Sequence, residues 1–94
     1  MWVLKRNERQ AVFGPEFIDD LRYWVTNDRK LALRLLMIVE GTIRSPFEGL
    51  GKPEPLKFEL SGAWSRRLTG EHRLVYKVYA ERVEFLAARY HYGA

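Results

Sequence analysis

The stretch Ser61-Gly62-Ala63-Trp64-Ser65-Arg66-Arg67-Leu68-Thr69-Gly70-Glu71-His72-Arg73-Leu74-Val75-Tyr76 decides the fold. Its helical period is gone, and Ser61-Gly62 and Thr69-Gly70-Glu71 read as tight turns. Ala80-Glu81-Arg82 supplies a third turn downstream. Strands are therefore expected at residues 56–60, 64–69, 72–79 and 83–90, and connections this short make them antiparallel neighbours.

Upstream of this region the period changes. Phe17, Leu21, Trp24 and Val25 recur at helical spacing on one face, with Asp19, Asp20 and Arg22 off it. Gly14-Pro15 starts that helix, because proline at the first helical position gives up no needed N–H. Thr26-Asn27-Asp28 interrupts it, and Asp28 suits the cap of a second helix. There Leu31, Leu35, Ile38 and Val39 repeat the spacing, with Leu36 and Met37 widening the stripe. Arg29, Lys30 and Arg34 read as a solvated face, with an RNA or antitoxin contact as the alternative. The second helix ends before Pro46, and the pair is expected to form a hairpin. Gln10-Ala11-Val12-Phe13 reads as a short strand ahead of it. Residues 45–55 hold Pro46, Gly49, Gly51, Pro53 and Pro55 and read as a loop. A loop this long is more often functional than not.

Strands segregated from helices imply an α+β class. The expected order is a short N-terminal strand, a helical hairpin, and a twisted antiparallel β-sheet with the helices on one face. The chain's 94 residues suit a single domain, 1–94. Residues 1–9 form an N-terminal extension that reads as a flexible arm, a short extra strand or a start-site artefact. The net charge of +4 and pI near 9.6 point in the direction of a polyanionic partner. The surplus leans to residues 44–94, where nine Lys/Arg face six acids. With no cysteine, disulfides, thiolate catalysis and cysteine zinc sites are excluded, in keeping with a cytoplasmic location. No apolar run approaches the length of a membrane span, so no membrane partner is expected.

Alternation sorts the strand side chains into two faces. Leu74, Tyr76 and Val78 point one way; Arg73, Val75, Lys77 and Tyr79 point the other. In the last strand Leu86, Ala88 and Tyr90 share a side, opposite Phe85, Ala87, Arg89 and His91. With the leucine-rich sides toward the helices, Arg67, Arg73 and His91 share the outer face. Arg66 is aimed at the core side and is expected near an edge or in an ion pair.

These residue types match the needs of RNA cleavage without a metal. RNA carries its own nucleophile, the 2′-hydroxyl. The protein must supply a base for that hydroxyl, an acid for the leaving 5′-oxygen and cations for the charge that builds on phosphorus. Glu54, pinned between Pro53 and Pro55, is the candidate base on a stiff backbone. The alternative for Glu54 is a loop carboxylate in a surface ion pair. His91 is the candidate acid, against a terminal histidine with no task; His72, on the Leu74 side, reads as structural or capping. Arg73 suits the transition-state charge, since a guanidinium meets two phosphate oxygens at once. Arg67 and Lys57 would hold flanking phosphates, with Lys52 beside them, and Tyr92 is available to stack on a base or touch the phosphate. The histidines are far apart in sequence and no carboxylates cluster at ligand spacing, so no metal or other cofactor is expected.

The motifs Pro46-Phe47-Glu48-Gly49, Gly51-Lys52-Pro53-Glu54-Pro55-Leu56-Lys57, Leu60-Ser61-Gly62, Trp64-Ser65-Arg66-Arg67, Glu71-His72-Arg73-Leu74-Val75-Tyr76 and Arg89-Tyr90-His91-Tyr92 closely resemble those of YoeB-type toxins of the RelE superfamily. The match runs from about Gln10 to Tyr92. The resemblance implies a bacterial type II toxin–antitoxin module and a RelE-like, microbial-RNase-like fold. It implies an endoribonuclease that cuts mRNA in the ribosomal A site and so stops translation. It assigns Glu54 as general base, Arg73 as transition-state stabiliser and His91 as general acid with Tyr92 alongside, and gives Lys57 and Arg67 to phosphates. It also implies a YefM-like antitoxin, the ribosome and mRNA as partners, a homodimer, and operator DNA reached only through the antitoxin complex. Two departures are the residues before Gln10 and the Gly93-Ala94 tail after Tyr92. Competing readings are a silent RNA- or ribosome-binding module, or an antitoxin-pairing module, using the same basic face.

Overall fold

A computed structural model describes residues 9–90. Strand β1 (Gln10–Phe13) leads into helices α1 (Pro15–Asn27) and α2 (Arg29–Arg44). Then come β2 (Glu54–Pro55), a 3₁₀ turn at Phe58–Leu60, β3 (Ala63–Arg67), β4 (Arg73–Val78) and β5 (Arg82–Ala87). The strands form one sheet in the order β1-β5-β4-β3-β2. The last four are antiparallel neighbours, as expected. β1 adds a parallel edge against β5, so the sheet is mixed. The class is α+β, with the helix pair on one face of the sheet.

Local chemistry explains the helices. Pro15 opens α1 behind the Gly14 cap, and the Asp28 carboxylate accepts the Leu31 N–H at 3.2 Å to cap α2. One residue separates the helices, and they pack against each other as a pair. Phe17 and Trp24 of α1 and Leu31, Leu35, Ile38 and Val39 of α2 meet Leu74, Tyr76, Val83 and Phe85 of the sheet. Val25, Leu36 and Met37 are exposed, contrary to the expected stripes. The pair has a sheet on one side only, so the flanks of each stripe meet water.

Two strand expectations are corrected. Residues 56–60 are not a strand: pairing comes earlier, with Glu54 opposite Ser65 and Pro55 opposite Trp64. Phe58 has φ of 60°, a left-handed conformation that stops an extended chain and opens the 3₁₀ turn. Pro55 is tolerated because β2 is the sheet edge. In the last strand, Phe85 faces the helices rather than outward. Val75 pairs with Ala87 while Tyr76 pairs with Phe85, so Leu86 is one extra residue in β5. The bulge reverses parity: Val83 and Phe85 point to the core before it, and Ala87 lies opposite the outward Val75 beyond it. Ala88 then returns to the core.

The expected extension, residues 1–9, falls outside the described residues except for Arg9. The Arg9 guanidinium donates to the Tyr79 carbonyl at 2.8 Å.

Candidate functional site

The register of three ladders builds the outer face. Glu54 lies opposite Ser65, Ser65 opposite Val75, and Val75 opposite Ala87. Partners across a ladder share a face, so this row crosses the sheet with a carboxylate at one end and small or apolar side chains along its floor. Arg67 pairs with Arg73 in the next row on one side, and Lys77 pairs with Ala63 on the other. The Arg73 guanidinium reaches across to donate to Ser65 Oγ at 3.1 Å. Glu54 and Arg67 are exposed, and Arg73 is half-buried. One strand separates those of Glu54 and Arg73, so the two strands lie about 10 Å apart, with Arg73 two residues further along.

Glu54, Arg67 and Arg73 are thus brought to one face. Lys52 and Lys57 flank β2 and are exposed. His91 and Tyr92 lie outside the described residues. Among the described residues no group of three or more His, Cys, Asp or Glu stands together to hold a metal, and no helix is long and apolar enough to cross a membrane.

The segment that leads to Glu54 is held by Arg66, which is 1% exposed on the helix side of β3. It lies one strand in from the sheet edge, and among the described residues it forms no ion pair. Its guanidinium instead donates to the carbonyls of Ser45, Glu48 (2.9 Å) and Leu50 (3.0 Å) and to the Tyr76 hydroxyl (3.2 Å). The Tyr76 hydroxyl in turn donates to the Pro46 carbonyl at 2.7 Å. One buried side chain therefore ties down the segment 45–50 that leads to β2. Burial pushes the Tyr76 phenol above the usual tyrosine range, and the hydrogen bond and charge of Arg66 pull it partly back.

The second anchor is Gly51, whose carbonyl accepts the Arg67 N–H at 2.7 Å. Its φ is 87°, and a Cβ there would lie 2.9 Å from the Arg67 carbonyl oxygen. Only glycine brings the chain this close to β3 immediately before Lys52-Pro53-Glu54.

At the far side, β5 runs on into Ala88-Arg89-Tyr90, and helix α1 grips it. The Ala88 N–H donates to the Asp20 carboxylate at 2.8 Å, and the Trp24 indole donates to the Ala88 carbonyl at 2.9 Å. Arg89 lies over the Tyr23 ring at 3.5 Å. The Tyr90 N–H donates to His72 Nδ1 at 2.7 Å, and the Arg73 N–H donates to the Tyr90 carbonyl at 3.1 Å. The chain therefore arrives next to Arg73 at its last described residue.

Sequence reasoning missed Arg66 as a carbonyl clamp and Asp20 as an acceptor for the sheet. Alternation that aims an arginine at the core side was the signal that Arg66 has a special task, though not which partners it takes; for Asp20 there was none, since it looks like any off-face acid.

The sequence agrees with the geometry. Residues 13–92 match the model of a family described as YoeB-like toxin of bacterial type II toxin-antitoxin system. The chain is 49% identical over 84 residues to Toxin YoeB of Mycobacterium bovis, covering 89% of this chain and 99% of that one. Among solved structures it resembles a YoeB dimer from Staphylococcus aureus, with a TM-score of 0.82 and 36% identity over 90% of this chain and 99% of that one. It also resembles the toxin chain of a heterotetrameric YoeB-YefM toxin-antitoxin complex from the same organism, with a TM-score of 0.79 and 36% identity over 89% of this chain and 98% of that one. The chain belongs to the YoeB-like toxin family of bacterial type II toxin–antitoxin systems.

Proposed function

We propose that this toxin is a metal-independent endoribonuclease that cuts mRNA in the ribosomal A site and so inhibits translation. The observation that carries this reading is the outer row, in which Glu54 faces Ser65 and Ser65 accepts from Arg73. A proton acceptor and a bidentate cation are offered to one phosphodiester from the same sheet face.

In the proposed reaction Glu54 takes the proton from the 2′-hydroxyl, and the freed oxygen attacks phosphorus. Arg73 meets the charge that builds on the non-bridging oxygens. The bond from phosphorus to the 5′-oxygen breaks, and His91 gives that oxygen a proton, with Tyr92 alongside. The products are a 2′,3′-cyclic phosphate and a 5′-hydroxyl. Arg67, Lys57 and Lys52 hold flanking phosphates, an electrostatic task that weakens with salt.

The proposed partners are a YefM-like antitoxin, the ribosome with its mRNA, and a second copy of this chain. The complex and the dimer of the Staphylococcus aureus relatives support the first and the last. Operator DNA is reached only through the antitoxin complex. The test is cleavage on purified ribosomes programmed with an mRNA that has a single 2′-deoxy nucleotide at the scissile position. The reading expects cyclic-phosphate ends from the all-ribose message, none from the deoxy one, and loss of cutting in His91→Gln. If the all-ribose message stays intact, a silent binding or antitoxin-pairing module is left instead.

A further inference from the structure

Tyr90 is held on both sides by consecutive residues. Its N–H donates to His72 Nδ1 at 2.7 Å, and its carbonyl accepts from the Arg73 N–H at 3.1 Å. Its φ is 68°, in the left-handed region. For a non-glycine residue that conformation is strained and persists only where neighbours over-determine it. His72 is such a neighbour, because it is fixed in turn. Its own N–H donates to Thr69 Oγ1 at 3.0 Å, and its carbonyl accepts from the N–H groups of Leu68 and Thr69. Its ring stands edge-on to Trp24 at 4.7 Å.

We propose that His72 is a positioning residue: its neutral imidazole, with the proton on Nε2, locks Tyr90 in its left-handed turn beside Arg73, and protonation of His72 opens that lock. The inference rests on the nuclease reading, which places the acid one residue beyond Tyr90. Its chemical basis is the direction of one hydrogen bond. Nδ1 accepts a backbone N–H, so it must keep its lone pair. A proton there sets N–H against N–H, and the left-handed turn loses the bond that offsets its cost.

The charged neighbours divide. Glu71 Oε1 is 3.6 Å from Nε2 and favours the imidazolium, yet its side chain is 71% exposed and the distance exceeds a hydrogen bond. Arg89, over the Tyr90 ring at 4.7 Å, and Arg73, next in the chain, oppose a positive His72. From α1, Asp20 is engaged by the Ala88 N–H and Tyr23 by Arg89. From α2, Arg34 donates to the Leu68 carbonyl beside the turn. Among the described residues, the bond to Tyr90 is the one hydrogen bond of the ring.

Two substitutions separate positioning from packing. His72→Phe keeps a ring against Trp24 and removes the acceptor. His72→Asn keeps an oxygen close to the Nδ1 position and cannot be protonated. Two readouts are taken across pH on the full chain: hydrogen exchange of the Tyr90 amide, corrected for intrinsic rates, and single-turnover mRNA cleavage at saturating ribosome. The unchanged protein should lose Tyr90 protection and cleavage together on acidification. His72→Phe should lose about tenfold or more in both at neutral pH, and His72→Asn should keep both and resist acid. The inference is overturned if the Tyr90 amide is as protected in His72→Phe as in the unchanged protein. It is also overturned if His72→Asn is as impaired as His72→Phe. If the unchanged protein cuts nothing, the nuclease reading fails, and the exchange data still decide the lock.

Discussion

Glu54 and Ser65 stand opposite each other across the β2–β3 ladder, and the Ser65 hydroxyl holds the Arg73 guanidinium at 3.1 Å. Ser65 is fully buried, so it orients Arg73 without offering itself to solvent. Ser65→Ala leaves the fold intact and frees that guanidinium. Its single-turnover cleavage rate is expected to fall by about threefold to tenfold, the worth of one hydrogen bond. An unchanged rate would mean that Arg73 is positioned by something else.

Arg66 is the buried side chain on which the loop before Glu54 depends. Arg66→Met fills much of the same space and leaves the carbonyls of Ser45, Glu48 and Leu50 without their donor. The expected loss is about 3 kcal/mol or more of unfolding free energy, read from urea titration. Arg66→Lys should recover only part of it, because one ammonium cannot reproduce the planar fork that meets several oxygens. Full recovery by lysine would show that charge, not geometry, matters there.

Tyr76 links stability to alkaline pH. Burial, the larger effect, raises its phenol above the ordinary value despite Arg66. A group whose pKa is higher in the folded state gives stability that is complete below the unfolded value, near ~10 for tyrosine, and lost as pH rises toward the folded one. Unfolding free energy should therefore drop in that window, and Tyr76→Phe should show a shallower drop from a lower start. An equally steep fall in the variant would remove Tyr76 as the cause.

The helices were legible because Phe17, Trp24, Leu31, Leu35 and Ile38 follow one period and Asp28 is a local cap. The convergence of Arg67 and Arg73 followed from simple alternation, since β3 and β4 pair without interruption. β5 was read with Phe85 outward because a bulge leaves no mark in a sequence of interchangeable apolar residues such as Phe85-Leu86-Ala87-Ala88. β2 was displaced because its two residues include a proline and its pairing is set by Gly51 and Arg66, both acting from a distance. Arg66 itself looked misplaced because its partners are backbone carbonyls, which have no sequence signature. His91 and Tyr92 were chosen from their side-chain chemistry, and His91 also from alternation, with the resemblance assigning the same roles; the described residues end one position before them.

The rate of Glu54→Gln on ribosomes carrying a cleavable message tests the acid–base account most directly. Glutamine keeps the shape and the exposed edge-strand position but cannot take the 2′-hydroxyl proton. Single-turnover cleavage should fall by about a hundredfold or more while ribosome binding is unchanged, the usual scale for loss of a general base. Cleavage at the rate of the unchanged toxin would contradict the account, whatever the other residues on that face do.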